Sequence, residues 1–353
     1  IESKEKFEYP KLYTTNWAKN NNELAVEMAS RLKSAGMLRK FAIALQSLNE
    51  GTLGNIERKN MKLNNFNHLV ALARQYDITV MIELIMTLPG ETYESWIKGY
   101  CELLEYDNLY IESYPCSLLA NSEMNTPKYK DRHGLQTATV KLPFGDIIDE
   151  YEEMIVSTST MSFEEATKAW IFTWMVRSFH SLGFLYYVAN FLVKEKGISY
   201  YDFYKTIEEG IVNSSGVMRE IYDKQLEYIK EKQFSKFYIS NWWVEAVGET
   251  KREEFYQEMR EIVKAKFDHE FLDEVFLFQN IANYNPNKSY PITQTFPYNF
   301  VENKSEPCEI EFDHEGQGNH KSYKSFIALS RSARWKTKTT LLSKSVDAIG
   351  ACA

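Results

Sequence analysis

The side chains with chemistry to offer gather at the ends of two apolar runs. KFAIALQ (40–46) ends in Gln46 and is followed by Ser47, and TVMIELIMTL (79–88) ends in Leu88 and is followed by Pro89 and Gly90. An amide beside a hydroxyl can hold a ribose or a carboxylate. Arg58 carries a planar fork of donors suited to a carboxylate. Taken alone it reads more readily as a helix-surface arginine pairing with Glu50 or Glu57, since such pairs are common and weak. Gly90 permits close approach of backbone to a ligand, although Leu88-Pro89-Gly90 is a strand-to-helix turn in any case. Glu83 is the single charge in its run, and a charge turned inward needs a partner. That partner is either a ligand, or Arg58 or Lys19 in an ion pair. Asn16 and Lys19 follow a candidate strand, where a solvated lysine is the plainer reading.

Both runs read as strands flanking helical stretches at 49–56 and 64–76, the latter with Leu69, Val70, Leu72 and Ala73 inward. The second run is almost wholly apolar, as in a parallel-sheet strand covered on both faces. Upstream, 10–16 (PKLYTTN) is a candidate strand. Residues 21–36 form a helix in which Leu24, Met28, Leu32 and Ala35 recur at helical spacing, closed by Gly36. Downstream, Thr92 can cap a helix over 93–105, and 108–114 is a further strand. Strand followed by helix, four times over with short connections, predicts a parallel sheet with right-handed crossovers. Ligands bind at the carboxyl ends of such strands, where Gln46, Ser47, Leu88, Pro89 and Gly90 fall.

Residues 115–145 read as a long irregular segment. Either Asn121, Ser122 and Glu123 cover the mouth of the sheet, or the segment is an ordered surface linker. From 146 to 284 the pattern is helical, with a capping box at Ser162-Phe163-Glu164-Glu165. The apolar stretch 169–193 contains Arg177, His180 and Asn190, which would be costly in lipid. It is expected to form one or two buried helices and not a membrane span. Residues 285–353 suggest short strands, turns and a tail. The expected division is therefore 1–145, 146–284 and 285–353.

A net charge of −8 argues against nucleic-acid binding through a basic surface. The four cysteines, Cys101, Cys116, Cys308 and Cys352, show no CxxC or CxxxCxxC spacing. Their scarcity suits a reducing cytoplasm, and Cys116 alone reads as buried packing. His133, His180, His269, His314 and His320 have no paired metal spacing, so no metal is assigned. The opening residues IESKEKFEYP look like the interior of a longer protein, and a fragment shortened at its N-terminus is expected.

The run ALQSLNEGTLGNIERKNM (44–61) followed by IELIMTLPGETYESW (82–96) resembles the second half of a radical S-adenosylmethionine domain. The likeness is to the group that carries an N-terminal cobalamin-binding domain. YTTNWAKN (13–20) and LLANSEMNTPKYKDRHG (118–134) are similar to that group too. The resemblance covers 8–145 and continues, weaker, into the helical region. It implies strands three to six of a partial (β/α)6 barrel followed by a mainly helical domain. Strands one and two, with the CxxxCxxC loop that binds a [4Fe–4S] cluster, would lie outside this chain. In such proteins the cluster chelates S-adenosylmethionine, and one electron from a donor such as flavodoxin or ferredoxin yields a 5′-deoxyadenosyl radical. The resemblance assigns Arg58 to the methionine carboxylate. It brings Asn16, Lys19, Gln46, Ser47 and Glu83 near the cofactor, and Leu88, Pro89 and Gly90 beside the adenine. The family often has glycine where Thr87 stands, so the adenine contact is expected to be altered. Cobalamin would imply methyl transfer or rearrangement on a small organic substrate.

Two other readings stay open. The chain could be a cluster-less ligand-binding or scaffold domain derived from this family. It could also be an ordinary β/α enzyme using Lys19 and Glu83 at strand ends. Because three clustered thiolates are lacking, the chain by itself should not hold a [4Fe–4S] cluster tightly and should be inactive alone. Anaerobic reconstitution yielding about four irons per chain would contradict this.

Overall fold

The computed structural model describes residues 1–13, 23–38, 40–106, 109–141, 148–239, 242–314 and 337–343. The chain divides into two compact units, Ile1–Thr173 and Trp174–Ala353.

The first unit opens with helices α1 (Glu2–Phe7) and α2 (Glu23–Ser34). Strand β1 (Phe41–Gln46) follows, then α3 (Glu50–Asn55), α4 (Leu63–Gln75) and β2 (Val80–Met86). Helix α5 (Tyr93–Glu102), a single 3-10 turn and β3 (Leu109–Pro115) complete the α/β core. The three strands are parallel in the order β1-β2-β3, and each link between them is helical, as parallel pairing demands. Phe41, Ile43 and Leu45 alternate as the covered face of β1 and are continued by Ile82, Leu84 and Met86 on β2. The connecting helices bury matching stripes, Phe66, Leu69, Val70 and Ala73 on α4 and Trp96, Ile97 and Tyr100 on α5. Thr92 and Ser95 form a reciprocal capping box at the start of α5.

Three expectations are corrected. Residues 10–13 do not form a strand; the Tyr13 N–H donates to the Met37 carbonyl at 2.8 Å. Residues 14–16 of that expected strand, with Asn16 and Lys19, lie outside the described residues. Helix α2 turns Val26 and Ala29 inward and leaves Leu24 and Met28 exposed. Its sequence carries two overlapping apolar stripes, and packing against α4 selects the one with smaller side chains.

Within the described part of the segment 115–145, residues 115–141, regular elements are present. They include helix α6 (Pro127–His133), capped by Thr126 and closed by the left-handed Gly134, and strand β4 (Gln136–Lys141). β4 pairs antiparallel with β5 (Tyr151–Ser157), so the region after 146 begins with a strand. The alternation of Ala138 and Val140 with polar residues is too short to stand out, and pairing with β5 supplies what local pattern does not. β5 also bonds the chain just beyond β3, through Ile155 N–H to Cys116 and Leu118 N–H to Glu153.

Helix α7 (Phe163–Val176) starts at the expected Ser162–Glu165 box. The apolar stretch then breaks at a π-turn and Gly183 before α8 (Tyr186–Lys196). Among the described residues no helix is long and apolar enough to cross a membrane.

The second unit continues with α9 (Tyr200–Asn213), α10 (Val217–Lys230), α11 (Phe234–Ile239), α12 (Trp242–Glu245), α13 (Arg252–Phe267) and α14 (Leu272–Ala282). An antiparallel sheet, β6 (Ile292–Phe296), β7 (Cys308–His314) and β8 (Thr337–Ser343), packs its aromatic residues on α14. There Phe278 meets Phe296, Phe300 and Phe312 at ring separations of 5.1, 5.4 and 5.0 Å. Arg252 is buried, and its guanidinium donates to the carbonyls of Gly248, Asn280, Asn283 and Tyr284. That saturation is what makes a buried charge tolerable.

His314 lies against the rings of Tyr284 and Tyr290, and burial pushes its imidazole down to about 4, with Asp313 opposing and Arg252 assisting. The unfolded chain takes up this proton first, so stability is complete above the ordinary histidine range near 6.5 and is lost as pH falls toward 4. The expected loss is about 3 kcal/mol across that window. Urea midpoints measured against pH should show this slope in the parent chain and not in His314→Gln; equal slopes would refute it.

Candidate functional site

The site begins where β1 leaves the sheet. The β1–β2 register slips between Ala44, opposite Glu83, and Gln46, opposite Leu84, and Gln46 takes a φ of 70°. This bulge turns the chain so that the Ser47 N–H folds back onto the Leu45 carbonyl at 2.9 Å. The Ser47 hydroxyl accepts from Asn49 N–H at 3.0 Å and donates to Glu91 Oε2 at 2.5 Å. Asn49 then caps α3 through its side chain on Thr52 N–H.

Helix α3 ends at a left-handed Glu57, with Arg58 N–H bonded to the Leu53 carbonyl. Two residues on, Asn60 Nδ2 donates to the Ser47 carbonyl at 2.7 Å, which folds the Arg58 segment back over the end of β1. The Arg58 guanidinium is half-buried, and desolvation lowers its pKa. Among the described residues it makes no hydrogen bond or ion pair, so the pairs with Glu50, Glu57 and Glu83 do not form. The Gln46 amide is likewise unengaged among the described residues.

The loop after β2 supplies the other wall. Thr87 adopts a φ of 58° and Gly90 one of 95°. A β-branched residue in the left-handed region is strained, and glycine would sit there without penalty. The Thr87 hydroxyl offsets the strain by facing the Met86 carbonyl at 2.6 Å and the Ile155 carbonyl at 3.0 Å. Asn55 Nδ2 donates to the Pro89 carbonyl at 3.0 Å, and a Cβ on Gly90 would stand 2.4 Å from that nitrogen. A side chain at position 90 would displace the Asn55 amide from the Pro89 carbonyl and would also be strained by the positive φ. Leu88 packs with Cys116, Leu118 and Ile155, bordered by Ile56, Ile85, Met124 and Leu135. Burial pushes the Cys116 thiol up to about 12, so it stays protonated and serves as packing.

Glu91 is the residue that sequence reasoning missed. It is buried, its carboxyl accepts from the hydroxyls of Ser47 and Ser95, and its carbonyl accepts from Thr160 Oγ1 at 2.8 Å. Burial raises its pKa, and the two serine bonds oppose that rise. The available signal was its place directly after Pro89-Gly90, with Thr92 already taking the cap.

The structure thus brings Gln46, Ser47, Leu88, Pro89 and Gly90 together at the strand ends, with Arg58 on the adjoining segment. Glu83 stands mid-strand, half-buried and in register with Glu112, which accepts from the Tyr110 hydroxyl at 2.7 Å. Asn121 and Glu123 are exposed, and Ser122 bonds its own turn at Leu119. Two buried hydroxyls, Thr52 Oγ1 on α3 and Ser113 Oγ on β3, have no hydrogen-bond partner among the described residues. Unengaged donors at strand ends beside a glycine cradle suit a ligand with a carboxylate and sugar hydroxyls. Among the described residues no three His, Cys, Asp or Glu side chains are grouped to hold a metal ion.

No family model matches the chain. It is nevertheless related to radical S-adenosylmethionine proteins, in particular to methyltransferases of that kind that depend on cobalamin. It is 30% identical over 206 residues to the cobalamin-dependent radical SAM methyltransferase TokK of Streptomyces tokunonensis. It is 31% identical over 206 residues to the 2-(S-pantetheinyl)-carbapenam-3-carboxylate methyltransferase of Streptantibioticus cattleyicolor. Each match covers 57% of this chain and 30% of the relative's own length.

Glu91→Gln keeps an acceptor and a donor for the two serines while removing a charge that burial opposes. A raised carboxyl pKa means that the stability Glu91 contributes is complete at low pH and declines as pH rises through the folded value. At pH 7 Glu91→Gln should therefore unfold no earlier in urea than the parent. Glu91→Ala should lose about 2 kcal/mol, from hydroxyls left without their acceptor. A glutamine variant as unstable as the alanine one would show that the charge itself holds the site.

Proposed function

We propose that this chain is part of a radical S-adenosylmethionine enzyme, with β1, β2 and β3 as strands of a partial (β/α)6 barrel. The observation that carries the reading is Arg58, half-buried and unengaged among the described residues, on the segment that Asn60 folds back over the Gln46–Ser47 bulge. In this reading Arg58 pairs with the methionine carboxylate of S-adenosylmethionine, since a desolvated guanidinium without a partner favours a bidentate anion. Gln46 offers its amide to the ribose. Ser47 shapes the cofactor-facing turn, because its hydroxyl is committed to Glu91 and Asn49, its N–H to Leu45 and its carbonyl to Asn60. Leu88, Pro89 and Gly90 present backbone to the adenine. Thr87 keeps the left-handed turn that a glycine would allow, so the cradle retains its backbone shape. Glu83 faces the same side of the sheet as Ala44 and is reserved for the ligand or substrate. Asn16 and Lys19 keep the cofactor-proximal role that the resemblance assigns them.

When bound with a reduced [4Fe–4S] cluster, S-adenosylmethionine supplies a 5′-deoxyadenosyl radical, and cobalamin supplies a carrier for a methyl group. The described residues of this chain do not fit a cluster. We therefore place the cluster ligands, and the cobalamin domain, outside this chain, whose matched part spans 30% of the relatives. Both relatives are named as methyltransferases, which favours methyl transfer to a small organic substrate over rearrangement. The whole protein would draw its electron from a flavodoxin or ferredoxin. The lack of three grouped metal-ligating side chains among the described residues favours a second reading, a cluster-less binding domain with the same cradle.

Titration calorimetry tests the cradle. Arg58→Ala should weaken S-adenosylmethionine binding roughly 10- to 100-fold, the range for a hydrogen bond to a charged group. It should leave 5′-methylthioadenosine, which lacks the carboxylate, unchanged, and should not shift the melting temperature. Equal affinity for S-adenosylmethionine in both proteins, or equal loss of both ligands, would remove Arg58 from the site.

A further inference from the structure

Strand β5 and the turn after it grip the Thr87–Glu91 loop at both ends. At the near end the Thr87 hydroxyl shares its proton between the Met86 carbonyl at 2.6 Å and the Ile155 carbonyl at 3.0 Å. At the far end the Thr160 hydroxyl reaches the Glu91 carbonyl at 2.8 Å. Between these two bonds lie Leu88, Pro89 and Gly90, the backbone proposed to meet the adenine. The grip is itself anchored. Ile155 N–H bonds the Cys116 carbonyl at 2.8 Å, and the Ile155 side chain packs on Leu88, Cys116 and Leu118. The Thr158–Met161 turn that carries Thr160 is closed by its own backbone bonds. Thr87 is buried, whereas Thr160 is exposed.

We infer that Thr87 and Thr160 are positioning residues for the adenosyl group, an inference that rests on the cradle reading above. Thr87 occupies a left-handed position at which glycine is the unstrained choice. A β-branched side chain there is conformationally unfavourable unless its hydroxyl contributes something in return. Here the hydroxyl ties the loop to β5, 68 residues further along the chain. Thr160 repeats the contact from the other side, so the loop is held at two carbonyls and its intervening backbone is set before a ligand arrives. Preorganisation of this kind raises affinity by removing the ordering that binding would otherwise require.

The test compares Thr87→Gly, Thr87→Ser and Thr160→Val in the full chain, with S-adenosylmethionine as the titrant. Thr87→Gly removes strain and hydroxyl together. It should melt no lower than the parent, exchange the Glu91 amide faster with deuterium, and bind S-adenosylmethionine about fivefold more weakly, as one hydrogen bond's net worth predicts. Thr87→Ser keeps the hydroxyl and should restore parental affinity. Thr160→Val, at an exposed bond, should weaken binding about twofold. If the parent chain binds S-adenosylmethionine and Thr87→Gly binds equally well, the positioning role is overturned while the cradle stands. A Thr87→Ser variant as weak as glycine would overturn it as well. If the parent chain does not bind S-adenosylmethionine, the cradle reading fails and this inference with it.

Discussion

A buried carboxyl holds the ends of two parallel strands together. Glu91 accepts from Ser47, which ends β1, and from Ser95, which belongs to the first turn of α5. Taking a carboxyl out of water is unfavourable unless its oxygens are satisfied, and here both are, each by a hydroxyl from a different element. The loop after β2 therefore cannot move without breaking bonds to the loop after β1. Asn55 on Pro89 and Asn60 on the Ser47 carbonyl repeat the same cross-links with amide side chains. The outcome is a rigid rim built from neutral donors, beside which the Arg58 guanidinium is unengaged among the described residues.

Three non-glycine residues on or beside that rim hold positive φ: Gln46 and Thr87 at the strand ends, and Glu57 at the close of α3. Such conformations persist where the surroundings over-determine them. Here the determinants are a β-bulge for Gln46, the closing turn of α3 for Glu57 and a hydroxyl bond to β5 for Thr87. Gly90 holds a positive φ too, and its lack of a side chain leaves room for the Asn55 amide to reach the Pro89 carbonyl. The rim is thus preorganised by backbone geometry more than by charge, which accords with the proposed role of orienting a cofactor that carries the difficult chemistry.

The second unit is stabilised by other means. Arg252 saturates its donors on four backbone carbonyls, and aromatic rings around Phe278 fill the space between α14 and the antiparallel sheet. Neither feature depends on a ligand, which is consistent with a self-supporting unit. The cost of burying His314 beside Arg252 is accepted within that same core.

Much of this was legible before any coordinates. The period-2 and near-continuous apolar runs located β1, β2 and β3, helical spacing located α4 and α5, and short-range capping signals marked Thr92 and Ser162. Gln46, Ser47, Leu88, Pro89 and Gly90 followed from lying just past those strands. What tertiary structure alone decided was which of these groups are engaged. Ser47 and Glu91 are 44 residues apart, and Thr87 and Ile155 are 68 apart; no local pattern encodes such bonds. Equal-looking stripes on α2, the pairing of β4 with β5 and the unpaired state of Arg58 were likewise settled by neighbours distant in sequence. The sequence by itself determined where the strand ends lie, because periodicity is a short-range property. Which side chains there are spent on holding the fold, and which are left for a ligand, depended on long-range packing, because a hydrogen-bonding group is committed only once its partner has been folded into reach.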